Sequence, residues 1–254
     1  MAVRKKVRTK VTANTASTAV ERALCMLEAI AQRDGMTNSE LSRRLEIPKS
    51  SASYLLRTLE RRGYLRREQG TGKYHLGLKV LMLSAGALTE LDIREVALPA
   101  LRQLVERSQL TAHLAVLDHG QAVYVAKVDA PGFIKMDTWV GRRMAIHATS
   151  VGKALVAHLP KEEVEAFIQE HGLPKRTGKT ITSYARFLRE LERVRTQGYA
   201  VDDEENSPGA RCVAAPIFNS LGKVEASVGV SGTSGQIDKR HLPRIAELVK
   251  ETAR

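Results

Sequence analysis

The chain has 254 residues, enough for two modest domains, and is 43% hydrophobic and 27% charged. This composition fits a globular chain; it holds no apolar run long enough to cross a bilayer, and two cysteines, Cys25 and Cys212, are too few for a disulfide scaffold or a cysteine-based zinc cluster. The net charge of +12 is concentrated at one end: residues 1–76 hold 16 Lys and Arg against 7 Asp and Glu, and the remainder 24 against 21. A polyanionic partner is therefore expected at the amino-terminal part.

Residues 1–15, with Arg4, Lys5, Lys6, Arg8 and Lys10, read as a flexible basic arm, either a solubilising tail or a phosphate-contacting extension. No apolar segment follows these charges, so the arm is not a secretory signal and the protein is expected in the cytoplasm. A winged helix-turn-helix domain is expected over 16–78. Its first helix carries Val20, Ala23, Leu24, Leu27, Ile30 and Ala31 at amphipathic spacing and ends near Asp34-Gly35.

The stretch Thr37–Tyr74 is the most informative in the chain. Thr37 and Glu40 form a Thr-x-x-Glu capping box, with Leu41 and Leu45 on one face of the helix that follows. Ile47-Pro48 ends that helix, because proline disfavours the α conformation in the residue before it and suits the first turn of the next. On the second helix Ala52, Leu55, Leu56 and Leu59 form the apolar stripe, which leaves Lys49, Ser50, Ser51, Ser53, Tyr54, Arg57 and Arg61 outward. Gly63 stops it. Tyr64–Arg67 and Lys73–Leu76 then flank Gly70-Thr71-Gly72 as a hairpin wing. Thr37, Lys49, Ser50, Ser51, Ser53, Tyr54, Arg57, Arg61 and Lys73 are the candidate contacts to duplex DNA, where the second helix of such a motif reads the major groove and Lys and Arg neutralise phosphates. A helical hairpin used for protein contacts is the plain alternative.

Residues 79–93 read as a helical linker, and the helix around Leu98–Val105 is expected to break, kink or restart at Pro99. From 94 onward an α+β domain on an antiparallel sheet is expected. Its strands are Thr111–Leu117, Ala122–Val128, Ile134–Val140, Tyr199–Asp202, Cys212–Phe218 and Val224–Ser231. Helices are expected over Ser150–His158, Glu162–His171, Tyr184–Gln197 and Asp238–Thr252, with turns at Asp118–Gln121 and Asn219–Gly222. His147, Asp202 and Cys212 compose a nucleophilic set on paper, but no nucleophile elbow, phosphate loop or metal-ligand spacing accompanies them, and no cofactor or metal is expected.

The segments VERALCMLEAI, LSRRLEIPKSSASYLLRTLERRGYL, HATSVGKALVAHLP, GYAVDDEENSPGARCVAAPIFN and ASVGVSG together resemble the IclR family of bacterial transcription regulators over nearly the whole chain. The resemblance implies a winged helix bound to operator DNA, a carboxy-terminal GAF-like domain that binds a small effector, and a homodimer or homotetramer. It further implies an effector site near Ser150, Asp202, Cys212, Gly229 and Ser231. A free amide at the helix start near Ser150 suits a carboxylate, and Ser231 and Cys212 add hydrogen bonds. Ser150 stands where carboxylate-binding members carry glycine, Gly229 where they carry serine, and Tyr54 where an arginine is frequent. Repression is the expected mode. A small-molecule enzyme with a basic appendage and an architectural DNA-binding protein without a ligand are the alternatives. Without the resemblance, Asp202–Glu205 would read as a solvated acidic turn, and Cys212 as an apolar core residue.

Overall fold

The structure, a computed structural model, describes residues 18–89, 92–133 and 135–254; the basic arm at 1–15 lies outside them. The chain separates into two compact units, divided between residues 90 and 91.

The first unit holds α1 (Thr18–Ala31), α2 (Asn38–Leu45), α3 (Lys49–Arg61), β1 (Leu65–Arg67), β2 (Tyr74–Leu76) and α4 (Lys79–Thr89). The capping box forms. The Glu40 amide donates to Thr37 Oγ1 at 3.3 Å, and the Thr37 amide donates to Glu40 Oε2 at 2.7 Å. Glu46 then adopts a left-handed conformation, φ 56°, which turns the chain into Ile47-Pro48 and α3. Leu41, Ile47, Ala52, Leu56, Leu65 and Tyr74 close a small core under the two helices and the hairpin.

One detail of α1 differs from its sequence pattern. Met26, Ala29 and Ile30 are its buried positions, while Val20 and Leu24 are 58% and 53% exposed and Ala31 is exposed. The helix packs on α2, α3 and β2 only through its carboxy-terminal half, so its apolar residues outnumber the positions the core can cover. On α4, Leu81, Met82 and Leu83 are likewise exposed.

The wing is anchored where two backbones touch. Gly63 ends α3 at φ +80°, and the Gly77 amide donates to the Tyr64 carbonyl at 2.8 Å. A Cβ on Gly77 would sit 2.1 Å from the Gly63 carbonyl oxygen, so only glycine lets β2 leave the hairpin against the end of α3.

The second unit contains α5 (Asp92–Ser108), β3 (Thr111–Asp118), β4 (Gln121–Val128), β5 (Arg143–Ala145), α6 (Ser150–Val156), α7 (Lys161–His171), α8 (Tyr184–Gln197), β6 (Ala200–Asp203), β7 (Ala210–Phe218), β8 (Val224–Thr233) and α9 (Leu242–Thr252). The six strands form one antiparallel sheet in the order β5-β4-β3-β8-β7-β6. Ala112, Leu114, Val213, Val228 and Val230 pack with α5 and α9 on one face; Ala115, Tyr124, Ala200 and Ala214 pack with α6 and α8 on the other.

Two expectations need correction. The helix does not break at Pro99: α5 runs through it from Asp92 to Ser108. Proline removes a single ladder hydrogen bond, and burial of Leu101, Leu104 and Val105 against the sheet offsets that loss. Residues 135–140 form no strand, although Ile134–Val140 reads as one; the third ladder partner is instead the short β5. The carbonyls of Met136 and Thr138 accept from Lys127 Nζ at 3.2 and 2.8 Å, which replaces strand pairing. Trp139, 54% exposed, lies on this loop rather than in the core.

Gly77→Ala is expected to destabilise the first unit by about 1–3 kcal/mol through this backbone clash. Faster hydrogen exchange of the α3 amides, with the β7 and β8 amides unchanged, would register it.

Candidate functional site

In the first unit, α3 and the wing carry the candidate DNA contacts. Lys49, Ser50, Tyr54, Arg57 and Arg61 are exposed; Ser51, Ser53 and Lys73 are half-buried. Between the start of α2, the outer face of α3 and the wing runs an open groove of about 410 Å³, lined by Thr37, Asn38, Ser53, Arg57, Arg67 and Thr71. The Thr37 hydroxyl is committed to Glu40, so this residue meets a ligand chiefly through the groove wall it forms. Asn38, Arg67 and Thr71 join the groove without having been marked by the helical pattern. Their place depends on how the hairpin folds back on α2, which residue spacing does not encode.

Charge pairing separates this surface from an ordinary solvated face. Among the described residues, Lys49, Arg57, Arg61, Arg67 and Lys73 take part in no ion pair. Arg57 and Arg67 line the groove and the other three lie elsewhere on α3 and the wing, and five unpaired cations there give a field suited to a polyanion, since each phosphate contact releases condensed counterions.

In the second unit the strand register gathers the residues named from the carboxy-terminal motifs. Asp202 pairs with Cys212, Cys212 with Ser231, and Ser231 with Thr111, so these four side chains form one row across β6, β7, β8 and β3. The next row on the same face is Ala200, Ala214, Gly229 and His113. Gly229 contributes backbone alone: a Cβ there would lie 2.6 Å from the Val213 carbonyl and 2.7 Å from Ala214 Cβ. Ser150 is buried at the start of α6, whose N-cap Thr149 accepts from the Gly152 amide at 3.2 Å.

Asp202 is buried. Its Oδ1 accepts from the amides of Glu205 at 2.7 Å and Asn206 at 3.2 Å, which folds the acidic segment into a turn. Burial raises its pKa to about 7, against the lowering effect of those two amides. Burial and the Asp202 charge push the Cys212 thiol up to about 12, so it is a neutral thiol beside the Ser231 hydroxyl. His113 stacks on Tyr124 with ring centroids 4.4 Å apart and pairs with Thr138 Oγ1 at 2.7 Å. Burial, followed by the Lys127 charge, lowers its pKa to about 3, so it stays neutral. His147 Nε2 is engaged by the Pro174 carbonyl at 3.2 Å, and no hydrogen bond joins it to Asp202 or Cys212. The row therefore offers hydrogen bonds rather than a thiolate nucleophile.

Three polar groups on this face have no hydrogen-bond partner among the described residues: Ser150 Oγ, Tyr124 Oη and Asp202 Oδ2. None of them is a sealed, unsatisfied atom. They lie on the face of the sheet that packs with α6 and α8, and buried polar groups left unpaired are candidates to meet a small polar molecule.

Lys153 was not marked by sequence. It is fully buried on α6, and its Nζ lies 2.7 Å from Glu205 Oε1 and 3.1 Å from Glu190 Oε1. The signal available was a lysine inside the otherwise apolar SVGKALV helix. The cluster fixes α6, α8 and the turn after β6 to one another, and with them Ser150 and Asp202.

Lys153→Ala leaves Glu190 and Glu205 facing an uncompensated buried site and is expected to cost about 3–5 kcal/mol, measured by urea unfolding. Asp202 supplies a pH test. Its folded pKa lies above its unfolded value, so the folded state holds a proton that the unfolded state has released. Its contribution to stability is then present below about pH 4 and is lost as pH rises towards 7, at up to about 1.4 kcal/mol per pH unit. Asp202→Asn is expected to flatten the stability profile in that interval; an unchanged slope would place the titration elsewhere.

The two units match two family models, the IclR helix-turn-helix domain over residues 19–69 and the bacterial transcriptional regulator IclR C-terminal domain over residues 85–254. The HTH-type transcriptional regulator BhcR of Paracoccus denitrificans is 33% identical over 93% of this chain and 85% of its own length. XynR of Escherichia coli, likewise named an HTH-type transcriptional regulator, is 33% identical over 91% and 92%. Among solved structures, an IclR homologue from Microbacterium hydrocarbonoxydans complexed with 4-hydroxybenzoate superposes with a TM-score of 0.80 at 25% identity, covering 93% of this chain and 96% of that one. An IclR regulator from Alicyclobacillus acidocaldarius also gives 0.80, at 28% identity over 92% and 95%. The curated relatives are named as regulators, not enzymes. With family models over both units and relatives matching about nine-tenths of its length, the chain belongs to the IclR family of bacterial transcriptional regulators, pairing a DNA-binding helix-turn-helix with an effector domain.

Proposed function

We propose that this regulator is a cytoplasmic repressor, active as a homodimer or homotetramer, whose operator affinity is set by a small carboxylate-bearing metabolite bound on the concave face of the second unit's sheet. The observation that carries the reading is where the unpartnered polar groups lie. In the first unit they are the cations around α3 and the wing, and in the second they are Ser150, Tyr124 and Asp202 on one face of the sheet. The first set suits a chain of phosphates and the second a small oxygen-rich molecule.

Within this reading Lys49, Arg57, Arg61 and Lys73 hold the phosphate backbone. Ser50, Ser51, Ser53 and Tyr54, near the start of α3, face the bases, and Thr37 closes the groove. Ser150, Asp202, Cys212 and Ser231 supply hydrogen bonds to the effector, and Gly229 keeps the floor of the site low. A carboxylate is supported by the relative that was crystallised with 4-hydroxybenzoate, and repression by the AllR relative of Escherichia coli, 31% identical and named a repressor. Regulation then needs only that the effector prefer one arrangement of its domain over another, with that preference changing how well paired winged helices fit two half-sites.

A labelled duplex from the promoter region flanking the protein's own gene, competed by random duplex over a salt series, tests both halves. Wild-type protein is expected to bind it specifically, and one member of a panel of small carboxylates to shift that binding. A Lys49/Arg57/Lys73 triple alanine variant is expected to lose at least about tenfold in affinity and to show a shallower salt dependence by up to about three ions. Equal affinity for promoter and random duplex would favour an architectural role, and turnover of a panel member abolished by Cys212→Ala an enzymatic one.

A further inference from the structure

Two arginines border the concave face without a counterion. In the pairing of β4 with β5, Ala122 lies opposite Met144, and the Tyr124 amide donates to the Arg142 carbonyl at 3.1 Å. Arg142 is therefore the partner of Tyr124 and shares its face, whereas Arg143 points the other way and pairs with Asp118. The Arg142 guanidinium lies over the Trp139 ring, 4.6 Å from its centroid.

Arg176 reaches the same region from the segment after α7. That segment is pinned on both sides. The Pro174 carbonyl pairs with His147, just ahead of α6. The Arg176 amide donates to Thr180 Oγ1 at 3.0 Å, and the hydroxyls of Thr177 and Thr180 donate to the carbonyls of Glu204 and Glu205 at 2.8 and 2.7 Å. The loop is thus tied to the turn that carries Asp202. Arg176 itself is exposed at the rim of this region, and partial desolvation followed by the charge of Arg142 lowers its pKa, with Asp202 acting in the opposite sense.

Neither side chain makes a hydrogen bond or ion pair to protein among the described residues. Arg211 nearby takes Asp203, and Lys153 takes Glu190 and Glu205, so these three carboxylates are already used. Of these groups, Asp202 is the carboxylate whose charge acts on Arg176, and it makes no ion pair with either arginine among the described residues. Two guanidinium forks with so little compensation match a ligand that brings two negative charges of its own.

Resting on the effector-site reading above, we propose that Arg142 and Arg176 are its anion-recognising residues and that the effector is a small dicarboxylate rather than a monocarboxylate. Ser150 and the outer oxygen of Asp202 then meet the polar substituents between or beside the two carboxylates.

Calorimetric titration of the full chain with matched acids tests this: succinate against butyrate, malate against 3-hydroxybutyrate, and phthalate against benzoate. At least one diacid is expected to bind roughly tenfold or more tightly than its monoacid partner, since its second carboxylate gains a charge-assisted hydrogen bond. Arg142→Gln and Arg176→Gln are each expected to weaken that diacid by at least about tenfold and to bring the ratio towards one, while promoter binding without acid stays unchanged. Monoacids binding as tightly as their diacids, or glutamine variants that keep the ratio, would overturn the assignment and leave the sensor reading standing. If no acid of either kind binds and none shifts promoter binding, both readings fall.

Discussion

The second unit is organised around one buried ammonium group. Lys153 has no exposed surface, and a lone charge in that position would cost several kcal/mol. Glu190 from α8 and Glu205 from the turn after β6 compensate it at 3.1 and 2.7 Å. The compensation is not complete. Glu205 Oε2 is buried without a partner, and burial raises the Glu205 pKa against the lowering effect of Lys153. A hydrophobic residue of similar size could fill the same volume, yet it would not require three separate elements to meet at one point. The ion cluster imposes that requirement, and Ser150 and Asp202 take their positions from it.

The same turn shows how backbone and charge cooperate. Asp202 accepts two amides and so shapes the loop that delivers Glu205 to Lys153. Its remaining oxygen makes no hydrogen bond among the described residues. Thr177 and Thr180 then fasten the Arg176 loop to the carbonyls of Glu204 and Glu205. An effector at this point would touch groups already coupled to α6, α8 and the sheet, which is the kind of connection a sensor domain needs.

Much of the first unit could be read directly along the chain. Thr37-x-x-Glu40, Ile47-Pro48 and Gly63 are local signals, each acting within four residues, and the structure realises them as a cap, a helix boundary and a helix stop. The α1 stripe was less legible, because Val20 and Leu24 have the right spacing but lie beyond the reach of a core this small. In the second unit five of the six expected strands form. The sixth failed because Ile134–Val140 has strand-like composition, while Lys127, a residue of another element, takes the carbonyls of Met136 and Thr138. At Pro99 the helix neither breaks nor restarts, since packing on the sheet outweighs one missing hydrogen bond.

The sequence by itself determined the two-part organisation, the helix-turn-helix with its basic face, the α+β character of the second unit and the family, because these rest on short-range spacing, composition and motifs in a fixed order. Only the tertiary structure decided which polar residues share a surface. The row Asp202, Cys212, Ser231 and Thr111 exists because antiparallel register brings residues from four strands opposite one another. Lys153 and its two glutamates, or Arg142 and Arg176, lie 34 or more positions apart in sequence. Their meeting depends on strand order and loop anchoring, which no local pattern specifies. Whether a charge there is paired or left open is a property of the folded neighbourhood, and that neighbourhood is what a ligand recognises.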